Sequence, residues 1–79
     1  MTSPLSSLTI RRAARGDGAA LERLAALDSN APLSGEVLVA ETGGRPVAAL
    51  SLVDGRTVSD PFVPAAPAVA ALRALRPAA

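Results

Sequence analysis

The segment Asp60-Pro61-Phe62-Val63-Pro64-Ala65-Ala66-Pro67 occupies the best place for chemistry in this chain and fills it with unhelpful residues. It lies between a strand-like run, Arg56 to Ser59, and a helix-like run, Ala68 to Arg76. In α/β proteins such a junction holds phosphates on free backbone N–H groups. Here it contains three prolines and no glycine. Proline has no N–H to donate, and Val63, Ala65 and Ala66 lack the backbone freedom of glycine.

The other groups able to do chemistry are few. Glu36 and Glu41 flank an apolar run, where an acid can act as a general base; as strand-end charges kept in water they would guard that run against aggregation. Asp60 could act as an acid or base, but Asp before Pro commonly starts a turn by bonding its own backbone. Arg11 and Arg12 could bind an anion; the plainer expectation is that one meets solvent and the other pairs with a carboxylate. The serines have no His to activate them, which excludes the usual Ser-His-Asp nucleophile. There is no Cys and no His, so thiolate and imidazole metal sites are excluded and no metal is expected. Phe62, the single aromatic residue, is expected to plug the core beneath the final helix.

Seventy-nine residues make one domain at most. A chain of this size buries only about 60% of its unfolded surface, so its core is marginal. Small scaffolds usually need a staple, and without disulfides the remaining candidate is association. Eight Arg against seven acids give a net charge of +1, with Arg11, Arg12 and Arg15 the only local concentration. A basic face and stacking aromatics are both missing, so nucleic-acid binding is not expected. Arg without Lys, together with abundant Ala, suggests a GC-rich bacterial genome. The N-terminus lacks the basic and apolar regions of a signal peptide. The longest apolar run, Pro61 to Leu72, is too short for the about 20 residues that span a bilayer. The expectation is a cytoplasmic protein that does not engage membranes.

Residues 1–7 are polar and turn-prone, which reads as a disordered N-terminus. Residues 8–76 read as a single domain and 77–79 as a frayed C-terminus. Leu8 to Ala13 alternates like a half-exposed strand. Asp17 is placed to cap a helix whose apolar face is Ala20, Leu21, Leu24 and Leu27, with Glu22 and Arg23 outside and Asp28-Ser29-Asn30 at its end. Glu36 to Glu41 reads as a central strand covered on both faces. Gly43-Gly44 turns it into a return strand, Pro46 to Leu52. Asp54-Gly55 is a second hairpin signal, leading to Arg56 to Ser59. Val69, Leu72 and Leu75 mark the buried face of the last helix, with Arg73 beside it. The expected fold class is α/β in the broad sense (α+β), in the order β-α-β-β-β-α, with a mostly antiparallel sheet and packed helices.

This ordered series resembles the N-terminal half of the GNAT superfamily of N-acetyltransferases. Thr9-Ile10-Arg11-Arg12-Ala13 followed by Asp17 and Leu21-x-x-Leu24 is similar to their opening strand and helix. Val37-Leu38-Val39-Ala40-Glu41 and Gly44-Arg45-Pro46-Val47-Ala48 are similar to their central hairpin. The resemblance spans roughly residues 8 to 72, and implies a GNAT-like half domain. In that family the fourth strand runs into a loop whose arginine, glycines and amides cradle the pyrophosphate of acetyl-CoA. Val58, Asp60, Pro61 and Leu72 keep that frame. Pro64 stands where the arginine belongs, and Ala65, Pro67 and Val69 stand where the three glycines belong. The family's fifth strand and its Tyr general acid have no counterpart among these residues. A full catalytic site is therefore expected to need another chain. The resemblance thus implies a small non-catalytic acetyltransferase-like domain, with the cofactor loop lost and no cofactor, acting as a homodimer or with a protein partner. The alternative is an acetyl-CoA-dependent N-acetyltransferase acting as a split or minimal half domain.

Overall fold

A computed structural model describes residues 8–76. The expectations for residues 1–7 and 77–79 lie outside those residues. Four strands form one antiparallel sheet in the order β1 (Leu8–Arg12), β2 (Val37–Thr42), β3 (Arg45–Ser51), β4 (Thr57–Ser59). Helix α1 (Gly18–Leu27) joins β1 to β2 after a single 3-10 turn, Arg15–Asp17, and α2 (Ala66–Leu75) follows β4. The fold is a small α+β arrangement, and the expected element order holds.

Alternation along the strands gives each helix its own side of the sheet. Val37 and Val39 of β2, Ala49 of β3 and Val58 of β4 join Leu24 and Ala25 of α1 in one core. Ala40 of β2 and Ala48 and Leu50 of β3 join Ala68 and Leu72 of α2 in another. The apolar run of β2 is therefore covered on both faces, which is why it shows no polar alternation. Register places Ile10 opposite Ala40 and Arg11 opposite Val39. Between β2 and β3 the register shifts at Ala40/Glu41, so that Val47 is the extra residue of a β-bulge. Pro46 sits at this irregularity, where a missing ladder donor does least harm.

Turn chemistry fixes the connections. Gly43 (φ 59°) and Gly44 (φ 82°) both adopt the left-handed backbone that a two-residue hairpin needs. Ser29 (φ 53°) closes α1, with Asn30 N–H donating to the Ala25 carbonyl at 2.8 Å and Ser29 N–H to that of Ala26 at 3.1 Å.

Several expectations need correction. Phe62 is 82% exposed rather than buried. The Asp60 carboxylate accepts the Phe62 N–H at 2.8 Å, and the flanking prolines fix the path of a turn that swings the ring outward. The space beneath α2 is filled instead by Leu50 and Leu72, with the half-buried Val63 and Val69. Leu75 is 59% exposed, not packed on the sheet. It is the last helical residue, and the chain becomes extended at Arg76; the buried stripe of α2 is Ala65, Ala68, Val69 and Leu72. The helix also begins at Ala66 rather than Ala68, since proline is tolerated in a first turn.

Candidate functional site

Two polar constellations and one groove hold most of the charged residues singled out by their chemistry. The first constellation closes the α1 side of the sheet over β1 and β2. Arg11 lies diagonal to Glu41 across the β1–β2 register, and the 3-10 turn brings Asp17 over both. The guanidinium meets Asp17 in a two-pronged contact, Nη1 to Oδ2 at 2.7 Å and Nη2 to Oδ1 at 2.9 Å. Its Nε donates to Glu41 Oε1 at 3.0 Å. Asp17 Oδ2 also accepts the Ala14 N–H at 2.6 Å.

Asp17 was expected to cap α1 with its side chain, but the carboxylate turns back to Arg11 and Ala14 instead. Glu41 was expected to stand in water; its side chain is only 18% exposed and is held by Arg11. Planar forks of this kind are the stronger class of charged hydrogen bond. The Arg11 bonds first, and the Ala14 amide second, hold the Asp17 carboxyl well below the usual carboxylate range. The bonds to Asp17 and then Glu41 hold the Arg11 guanidinium above its ordinary value. An ionised, fully engaged carboxylate is a poor proton shuttle, so this cluster is structural chemistry. Arg12 and Glu36 pair at 3.3 Å in the open, with side chains 72% and 70% exposed. That matches the expectation for Glu36.

The second constellation centres on Asp60 at the start of the β4–α2 junction. Its side chain is nearly buried and lies 3.8 Å from Arg23 Nη1. Arg23 also reaches the Pro46 carbonyl at 3.3 Å. Asp60 therefore ties α1, the central hairpin and the junction together while capping the Phe62 N–H, which is the turn role expected of it.

Beside Asp60 an open groove of about 550 Å³ runs between the junction and the outer side of α2. Ser59, Asp60, Pro64, Val69, Ala70 and Arg73 are among its lining residues. Some of the junction's donors are spent internally, while the Val63, Ala66 and Ala68 N–H groups have no partner among the described residues. Asp60 N–H goes to the Val47 carbonyl, Phe62 N–H to Asp60, Ala65 N–H to the Val63 carbonyl and Val69 N–H to the Ala65 carbonyl. Positions 61, 64 and 67 are proline. Of positions 64, 65, 67 and 69, Ala65 is buried and Val69 packs against the core, while Pro64 and Pro67 face solvent. Ala65 and Val69 thus help to close a hydrophobic core.

The β4 edge is partly engaged within the chain. Ladder alternation turns the Thr57 and Ser59 N–H groups outward, since Ser51 donates to Arg56 and Asp60 to Val47. Ser59 N–H is taken by Asp28 Oδ2 at 3.1 Å. Arg56 clamps the loop after α1, donating to the Ala31 and Pro32 carbonyls at 2.9 Å each. Sequence reasoning missed Asp28 in this role because the partner is 31 residues away.

Among the described residues no group of three or more acidic side chains is placed to hold a metal ion, and no helix is long and apolar enough to cross a membrane. Searches against protein-family models, curated proteins and solved structures returned no match.

Proposed function

We propose that this chain is a non-catalytic, GNAT-like half domain that acts by association, with itself or with a protein partner. The reading draws on the order β-α-β-β-β-α around a four-stranded antiparallel sheet. The observation that carries its non-catalytic part is the accounting of N–H groups at the β4–α2 junction. Three prolines have none, and Asp60, Phe62, Ala65 and Val69 donate within the chain. An incoming pyrophosphate would find only the Val63, Ala66 and Ala68 N–H groups without a partner; to gain more donors it would have to displace those bonds and push aside the buried Ala65. Leaving the displaced groups without partners costs the full desolvation penalty of each.

The alternative, an acetyl-CoA-dependent transferase acting as a split half, has the groove in its favour. Its volume of about 550 Å³ falls in the range of small-molecule sites. Calorimetric titration separates the two readings. Acetyl-CoA at millimolar concentration should give no saturable heat. A micromolar Kd would overturn the non-catalytic reading.

A further inference from the structure

We propose that two copies of this chain pair through the outer edge of β1, antiparallel, about a two-fold axis at Ile10. This rests on the association reading above and names its surface.

The two ends of the sheet are not alike. At the β4 edge, Asp28 occupies the Ser59 N–H, Arg56 holds the loop after α1 alongside, and Pro61 follows the strand. These are the devices that blunt an edge against pairing. At the β1 edge, among the described residues, the only such cover is one long contact, Arg11 Nη1 to the outward Arg12 carbonyl at 3.3 Å. Leu8–Arg12 has no proline, no bulge in its register with β2, and no covering loop. Its two charges are turned to partners within the chain, Arg11 to Asp17 and Glu41 and Arg12 to Glu36. Ala13 N–H donates to Val37, so alternation points Arg11 and Thr9 at β2 and turns the backbone of Leu8, Ile10 and Arg12 outward.

That edge is complementary to itself. With Ile10 on the two-fold, the outward groups of Ile10 meet those of its own copy, and those of Leu8 meet Arg12. A two-fold interface requires this reciprocity. The half-buried Leu8 and Ile10, which pack against the α2-side core, then continue that layer into the second copy. The Arg12 stem lies along Leu8 of the other chain while its head stays in water. On the opposite face Arg11 stands across from Thr9. No like charges are directly opposed, whereas sliding the pair to bring Arg11 against its own copy would oppose two cations, which is destabilising. Charge thus selects between these registers as well as the edge. The contact is one short strand per copy, smaller than a standard stable interface, so the dimer forms reversibly.

The test is amide hydrogen exchange, followed by NMR on the unmodified chain at low and high concentration, beside light scattering on the same samples. The Ile10 and Arg12 N–H groups should exchange fast in the dilute protein and slow about tenfold as it becomes dimeric. A rise in protection at Thr57 instead, with dimer present, overturns the β1 edge and leaves association standing. Protection of Ile10 at every concentration in a monomer means that the chain's own N-terminal residues cover the edge, which overturns the inference. A monomer with unprotected Ile10 throughout overturns both the inference and the self-association reading. A cross-link gives an independent check, because the chain has no cysteine. Facing residues of a hydrogen-bonded pair have Cα atoms about 5.5 Å apart, within disulfide reach. In a glutathione redox buffer Ile10→Cys should give a covalent dimer and Thr57→Cys should not. The reverse pattern contradicts the assignment.

Discussion

Leu72→Ala should unfold a large part of the protein population, while Leu75→Ala should melt like the parent. Leu72 is fully buried on the α2 side of the sheet, in the cluster with Leu50, Ala40 and Ala48. Truncating such a residue costs about 2–5 kcal/mol, from lost transfer energy and the cavity left behind. A chain of this length is stable by about 4–12 kcal/mol in all. The alanines facing Leu72 offer little side chain to collapse into the gap, which places the cost toward the upper end. Leu75 is mostly exposed, and its truncation should change stability by less than about 0.5 kcal/mol. Urea melts of the two variants check the pair. Equal midpoints would mean that α2 is seated with a different face on the sheet.

Asp17→Asn should destabilise the protein at neutral pH, by more than Glu36→Gln does. The Asn keeps an acceptor for the Ala14 N–H but leaves Arg11 with Glu41 alone. Glu36 pairs in the open, where such bridges are worth little. The pH dependence gives the sharper signature. Asp17 is held below its unfolded value near 4, so its pair contributes fully above that value. The contribution is lost as pH falls through the lower, folded value, because the unfolded chain takes up the proton first. The parent should therefore lose stability as pH drops below about 4, and the gap to Asp17→Asn should narrow over the same window. A gap that widens in acid would contradict the assigned ion pair.

These predictions divide along the line between what local sequence determines and what only register supplies. Gly43-Gly44 demanded positive φ, Leu21 and Leu24 carried a helical period, and Asp60-Pro61 announced a turn that bonds its own backbone. Each is a short-range constraint, and each appears in the structure. Phe62 was misplaced because hydrophobicity argues only that a ring would gain by burial. The direction of the chain through that turn decides whether it can. Glu41 was misplaced for a different reason. Its partner Arg11 is 30 residues away and becomes a neighbour only through the β1–β2 pairing. The same holds for Asp28 on the β4 edge. Two residues seen locally as a strand-end guard and a helix terminator are thus long-range fasteners.

The β4–α2 junction divides along the same line. That Pro64 and Pro67 offer no N–H donor could be read from sequence alone, since the chemistry of proline is independent of context. Val69 was already legible as a buried helix position, but the burial of Ala65 followed only from the phase of α2, which starts two residues earlier than the prolines suggested.

Association is the central claim, and size-exclusion chromatography with light scattering on the unmodified chain tests it most directly. At low micromolar concentration the account predicts a mass near one chain. At high micromolar concentration it predicts a mass moving reversibly toward that of two. A constant single-chain mass across that range, in a protein that melts cooperatively, would contradict the self-associating form of the account and show that the two helices close the fold by themselves.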